Sequence, residues 1–204
     1  AGTTDIAVYI HGALRYTEII PVGGDHVTND IAHVLRTPVV EAEQLKIKQG
    51  CAQSIVVKRD EYVHFPAANG KENRKLERHV LASIIEARYT ELFEYIYNQL
   101  HSLGALDYLS AGFVLTGGAA RIEGAESLAD GIFGKDRTRL GTPTILPEMG
   151  GQLVESSVYA TSVGLLMAGR DAYLEELAKQ PTGRKAIDTE SFLAKLKAWL
   201  ERNF

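Results

Sequence analysis

Two strand-rich pieces flank a helix-rich middle in this chain, and that order constrains the fold more than any other feature. Thr4 to Ile10 reads as a strand, His11-Gly12 as a turn, and Leu14 to Pro21 as the returning strand of a hairpin. Gly23-Gly24 breaks the chain, and Asp25 is placed to cap a helix ending at Leu35. Pro38 opens a second helix over Val39 to Gln49, closed by Gly50. Ser54 to Lys58 and Tyr62 to Phe65 read as short strands, and Asn69-Gly70 as a turn. Leu76 to Leu103 is a long helical pattern with apolar residues at Val80, Ile84, Ile85, Leu92, Ile96 and Leu100. Gly112 to Thr116 then reads as a buried strand. After Gly117-Gly118 come a helix from about Glu123 to Phe133, a short strand from Arg137 to Leu140, a helix over Glu155 to Met167, and a last helix to Ala178. The pattern predicts an α/β domain (1–22 plus 111–178) with an inserted α+β subdomain (23–110).

Composition narrows the class. With 204 residues, 45% hydrophobic and 24% charged, the chain matches ordinary globular proteins. A formal charge of −4 gives no general affinity for nucleic acid. Cys51 is the sole cysteine, so an internal disulfide is excluded and a reducing compartment fits. No apolar run approaches transmembrane length. Ala1-Gly-Thr-Thr-Asp5 lacks an initiator Met and leads directly into a strand, as expected of a chain cut inside a motif.

Three short motifs could hold a phosphorylated ligand. Gly2-Thr3-Thr4 can present N–H groups and hydroxyls to phosphate oxygens, or be an ordinary strand entry. In Val114-Leu-Thr-Gly-Gly-Ala-Ala120 a strand meets a double glycine ahead of a helix. Gly117 and Gly118 let a ligand approach the backbone, with Ala119 next, although a tight turn would have the same sequence. The motif is neither a Walker loop nor the dinucleotide fingerprint. Glu43 and Lys46 share a helix face and could reach ribose hydroxyls, or form a solvated ion pair. The six histidines show no metal spacing. Glu86 and Arg88 lie mid-helix near Tyr89, as a peptide-binding face or a solvated one.

The C-terminus predicts a tethered amphipathic helix. Lys179 to Asp188, with Pro181 and Gly183, has little to bury and reads as a flexible linker over 179–188. Within 189–204, Phe192, Leu193, Leu196, Trp199, Leu200 and Phe204 share an arc roughly 140° wide at 100° per residue. Lys195 and Lys197 sit at its edges. Aromatic groups with lysine rims suit a membrane interface, and long lysine stems can cover apolar surface. Docking on the chain's own domain is the plainer alternative. One copy should bind lipid weakly, and many copies in an assembly firmly.

Taken in order, the motifs resemble the second half of an actin/Hsp70-type ATPase. Ala1-Gly-Thr-Thr-Asp-Ile-Ala-Val-Tyr9 resembles the end of that superfamily's second phosphate motif. Ala42-Glu-Gln-Leu-Lys46 resembles its nucleoside contact, Leu115 to Ala120 its adenosine motif, and Tyr159 to Leu165 its closing hinge helix. Within the superfamily the chain is most similar to the FtsA family of bacterial cell-division actin homologues. Ile20 to Ala32, Gly50-Cys-Ala52, Glu86 to Leu92 and the tail Ala198 to Phe204 carry that likeness.

The resemblance implies an actin-like (ribonuclease-H-like) C-terminal half. Gly2, Thr3, Thr4, Glu43, Lys46, Gly117, Gly118 and Ala119 are then the nucleotide contacts, for ATP with Mg in the complete protein. It implies binding of the FtsZ C-terminal peptide on the inserted subdomain, matching Arg74, Lys75 and Arg88 here, with Asn73 to Leu76 as a subunit-contact edge. It further implies self-assembly into actin-like filaments, other divisome partners, and attachment to an anionic membrane at the cytoplasmic face of the bacterial inner membrane. The first phosphate loop and the catalytic first half are missing from this chain, so hydrolysis is not expected of it. The alternative is half of a sugar kinase or chaperone-like ATPase of the same superfamily.

Overall fold

The computed structural model describes residues 2–67, 73–134, 136–143 and 156–179. The Asn69-Gly70 turn, nearly all of the linker and the whole amphipathic tail, including Phe192, Leu193, Lys195, Leu196, Lys197, Trp199, Leu200 and Phe204, lie outside the described residues.

Strands β1 (Thr4–Ile10) and β2 (Ala13–Ile20) form an antiparallel hairpin, with Thr4 opposite Ile20 and Tyr9 opposite Leu14. His11 and Gly12 both adopt positive φ, 53° and 77°, which matches the twist of a two-residue hairpin turn. Alternation is kept along β1: Val8 is buried, while Ala7 and Tyr9 face outward.

Helix α1 spans Gly24–Leu35. Its N-terminus is closed by Gly23, whose N–H donates to His26 Nδ1 at 3.2 Å. Asp25 therefore sits in the first turn and not at the cap, where it still favours the positive end of the helix dipole. Helix α2 (Val39–Gln49) begins after Pro38 and ends at Gly50, as its sequence predicts.

Ser54 to Lys58 is not a strand. Ser54–Val56 is a 3₁₀ turn because Glu86 accepts from both the Ser54 N–H (2.9 Å) and its hydroxyl (2.5 Å). That pair of bonds overrides the β preference of Ile55 and Val56. Strand β3 (Tyr62–Pro66) pairs with β4 (Asn73–Glu77) in antiparallel register, Val63 opposite Leu76. The helical pattern from Leu76 thus starts two residues late. Leu76 serves the ladder, and α3 (Arg78–Ser102) opens where the Arg78 N–H donates to Glu61 O at 2.8 Å.

Helix α3 is the spine. Leu81, Ile85, Tyr89, Phe93, Ile96 and Leu100 form its buried stripe, at the spacing of one helix face. α1 and α4 (Ala125–Phe133) pack against it, α2 packs on α1 and β3, and one hydrophobic core runs from Val8 and Ile20 to Phe133. Strand β5 (Phe113–Leu115) pairs in parallel with β6 (Thr138–Leu140). It is shorter and less buried than predicted: Val114 is exposed between half-buried Phe113 and Leu115, so only one face of the strand is covered.

After a 3₁₀ turn at Ser157–Tyr159, a single helix α5 (Ala160–Ala178) replaces the two predicted helices. The glycines inside it are tolerated. Residues Ala1–Gly164 make one compact unit, and a second begins at Leu165. No helix among the described residues is long and apolar enough to cross a membrane.

Candidate functional site

The Glu43/Lys46 pair is formed and faces α1. Lys46 Nζ lies 2.7 Å from Glu43 Oε2, and donates to Thr28 Oγ1 at 2.8 Å and to Gly24 O at 2.9 Å. All three ammonium protons are engaged, and the side chain is 11% exposed. The Thr28 hydroxyl lies against both Glu43 Oε2 and Gly24 O. Burial would raise the Glu43 carboxyl, but hydrogen bonds from Lys46 and Thr28 and the ammonium's charge hold it below the ordinary glutamate value. The expected shared face therefore exists, with a division of labour. Lys46 turns inward as a buried strut, while Glu43, whose bonds all run through Oε2, remains 39% exposed.

Glu43 borders an open groove of roughly 450 Å³ with Asp25, Thr28, Val39 and Val40. Gly2 lies beside it: a Cβ on Gly2 would stand 3.7 Å from Asp25 Oδ2. The Thr4 hydroxyl is spent on Val22 O at 2.8 Å, whereas Thr3 is exposed. The start of β1, the first turn of α1 and the Glu43 face of α2 are thus brought together.

The glycine loop is held separately. Gly117 has φ +93°, and its N–H donates to Ser157 O at 3.2 Å while the buried Ser157 hydroxyl donates to Gly117 O at 3.0 Å. A Cβ on Gly117 would meet nothing within 4 Å, and one on Gly118 only Val158 Cγ2 at 4.0 Å. The backbone here is open to close approach, as a ligand-binding loop requires. Ala119, which starts a 3₁₀ turn, accepts a hydrogen bond from the Tyr89 hydroxyl at 2.7 Å.

Tyr89 joins the two halves. Burial, and then the Glu43 carboxylate, push its hydroxyl well above the usual tyrosine range. One buried ring thus touches the glycine loop and feels the charge of the Glu43/Lys46 cluster. Sequence spacing singled out none of Thr28, Asp30 and Ser157, although Thr28 and Asp30 lie within the Ile20–Ala32 stretch. Tyr89 could have been found as the polar member of an otherwise apolar helix stripe.

Of the three residues expected to meet a peptide, Arg88 and Arg74 reach α1, and Lys75 lies on the β3 residue Tyr62. Arg88 pairs with Asp30 through Nε (2.7 Å) and a terminal nitrogen (3.0 Å), and with Glu91 at 2.6 Å. Arg74 donates to Leu35 O at the end of α1 (2.7 Å) and lies 5.6 Å from the centre of the Phe65 ring. Lys75 Nζ sits 3.6 Å from the centre of the Tyr62 ring. Asp30 and Leu35 are five residues apart, about 7.5 Å along the helix. No cluster of metal-ligating side chains occurs among the described residues.

Comparison with known proteins places this geometry. Solved structures of MreB5 from Spiroplasma citri, bound to AMPPNP and to ADP, superpose with TM-scores of 0.66 and 0.65. Each is 17% identical and covers 88% of this chain and 53% of the other, which establishes the actin-like fold. The cell division protein FtsA of Pseudomonas aeruginosa is 39% identical over 206 residues, taking in all of this chain and 49% of the relative. That of Escherichia coli is 39% identical over 210 residues, and that of Neisseria meningitidis 38% over 209. The chain thus spans about half the length of the curated relatives it matches. These matches favour the cell-division family over a sugar kinase or chaperone half. A family model described as cell division protein FtsA matches residues 1–164, and the chain belongs to that family.

Proposed function

We propose that this chain is the C-terminal half of a cell-division actin homologue that tethers FtsZ filaments to the inner face of the cytoplasmic membrane at the division site. The complete protein binds ATP with Mg and assembles into actin-like filaments alongside other divisome proteins. Its work is binding and assembly. The observation that carries this reading is Tyr89, whose hydroxyl reaches Ala119 O of the glycine loop and feels the Glu43 carboxylate, in a chain of the FtsA family.

The available groups fit a nucleotide. Glu43 offers a carboxylate oxygen at the groove, suited to ribose hydroxyls, and Lys46 holds that carboxylate in place. Gly117, Gly118 and Ala119 offer open backbone for the adenosine. Gly2, Thr3 and Thr4 would serve the phosphates: Gly2 lies beside Asp25 at the groove's edge, and Thr3 is exposed. The two solved MreB5 structures of the same fold carry AMPPNP and ADP, which supports the same ligand class.

The assignment divides the chain into an actin-type subdomain (1–22 and 111–178), an inserted subdomain (23–110) that binds the acidic FtsZ peptide through Arg74, Lys75 and Arg88, a linker (179–188) and a membrane-targeting helix (189–204). Phe192, Leu193, Leu196, Trp199, Leu200 and Phe204 enter the acyl boundary, while Lys195 and Lys197 meet anionic headgroups. Co-sedimentation tests the tether. The complete parent protein, FtsZ and anionic vesicles are spun together, with and without the segment 188–204. FtsZ should pellet with vesicles only when the tail is present, and equal pelleting would reject the reading.

A further inference from the structure

Four aromatic rings connect the glycine loop to the long helix. Tyr89 meets Phe93 edge-on, with centroids 5.8 Å apart and planes at 72°. Phe93 lies 5.7 Å from Phe133, and Phe133 stacks on Phe113 at 4.4 Å and 20°. Phe113 begins β5, the strand that leads into Gly117-Gly118. The Tyr89 hydroxyl reaches back to Ala119 O on the far side of those glycines. The row therefore grips the segment at both ends: the strand through Phe113, the turn through Tyr89.

Between the grips, Gly117 is held by its reciprocal bonds with Ser157, while the Gly118 and Ala119 carbonyls accept the Arg121 and Ile122 N–H groups of the following turn at 3.3 and 3.4 Å. The Ala119 carbonyl accepts from the Tyr89 hydroxyl at 2.7 Å and, at a longer 3.4 Å, from the Ile122 N–H of its own turn, so the shorter bond and the only side-chain one comes from α3. Tyr89 is 5% exposed, so water cannot readily replace that donor. Its neighbour in sequence, Arg88, points to α1 through Asp30, so the helix register that fixes one side chain fixes the other.

We infer that Tyr89 is a positioning residue for adenosine binding, holding the Gly118-Ala119 backbone through its hydroxyl without touching the ligand. The inference rests on the nucleotide reading above. Loss of the hydroxyl alone should loosen one end of the loop while Ser157 and Phe113 keep the other. The effect is partial: about three- to tenfold weaker binding, the range spanned by one neutral hydrogen bond.

The test uses the complete parent protein, carrying Tyr89→Phe, which keeps the ring and its packing. MgATP and inorganic tripolyphosphate are titrated separately against the parent, Tyr89→Phe and Gly118→Asp. Amide exchange of the peptide covering 117–122 is followed without nucleotide. The expected result is a three- to tenfold loss for MgATP, unchanged tripolyphosphate affinity, and faster exchange in Tyr89→Phe. Equal loss for both ligands would assign Tyr89 a merely structural role and overturn the inference. Unchanged MgATP affinity in Tyr89→Phe, with binding abolished in Gly118→Asp, would overturn it while leaving the pocket in place. Unchanged affinity in both variants would reject the pocket and the inference together.

Discussion

The guanidinium of Arg88 closes on the carboxylate of Asp30 with two nitrogens on two oxygens, at 2.7 and 3.0 Å. This fork ties α3 to α1 across 58 residues of sequence. It also means that a residue expected to meet an acidic peptide already holds an acidic partner. Hydrogen bonding to Asp30 first of all, and also the charges of Asp30 and Glu91, raise the Arg88 pKa.

The pair makes Arg88→Glu a double lesion. It places a third carboxylate beside Asp30 and Glu91 and removes the α1–α3 link. We expect a loss of about 1.5–3 kcal/mol in stability, the range for hydrogen bonds to charged groups. Chemical denaturation of the variant checks this. Asp30→Asn is the cleaner probe of partner binding, because it removes one of the two carboxylates that neutralise the guanidinium and leaves Glu91 in place. It should strengthen binding of an acidic FtsZ-tail peptide at low salt, and the gain should fade as salt rises. Titrations at two ionic strengths decide the point.

The two glycines of the loop should respond differently. Gly117 has φ +93°, so Gly117→Ala should cost about 1–2 kcal/mol despite open space around it. Gly118 has helical angles (φ −66°, ψ −43°), so Gly118→Ala should be nearly neutral. Gly118→Asp should also fold, yet abolish ATP binding in the complete parent by placing a carboxylate at the ligand. Melting curves of the three variants, with an ATP titration for the last, test the assignment.

Acid should weaken the α1–α2 junction through Glu43. Its carboxyl is held below 4.5 in the folded protein, so the unfolded chain takes up the proton first as pH falls. The stabilisation is complete above 4.5 and is lost as pH drops through the lower folded value. Glu43→Gln should flatten the stability–pH curve in that window and leave it unchanged near neutrality in slope. Urea titrations between pH 3 and 7 measure the difference.

Cys51 is fully buried, and burial pushes its thiol up, so the native protein should resist thiol reagents. As the sole cysteine, it reports opening of the Ala52–Glu123 connection, where the Ala52 N–H donates to Glu123 O at 2.7 Å. Labelling with a maleimide should be slow in buffer and complete in denaturant. Fast labelling in buffer would contradict the packing around Cys51.

For the tail, Trp199→Glu puts a charge at the centre of the apolar arc and should eliminate vesicle binding without moving the melting temperature. Lys195→Glu should weaken binding only to anionic vesicles and in a salt-dependent way. A helix docked on the body would instead lose stability with Trp199→Glu, and neither protein would bind vesicles. Both quantities measured on the same proteins separate these outcomes.

Local chemistry wrote much of this molecule directly into its sequence. The hairpin at His11-Gly12, the limits of α2 at Pro38 and Gly50, and the glycine loop before α4 follow from φ preferences and periodicity that each segment carries by itself. The Glu43/Lys46 pair was legible for the same reason, since three residues along a helix always face one another. Tertiary structure decided what those segments meet. Ser54 became a turn because Glu86, 32 residues away, accepts its donors, and Leu76 joined a strand because Val63 lies opposite. Lys46 turned inward because α1 offered it Thr28 and the Gly24 carbonyl, and Arg88 was claimed by Asp30. Tyr89 reached Ala119 only because α3 packs against the loop. Hydrogen bonds between distant segments leave no periodic trace, so their partners emerge only once the chain has folded.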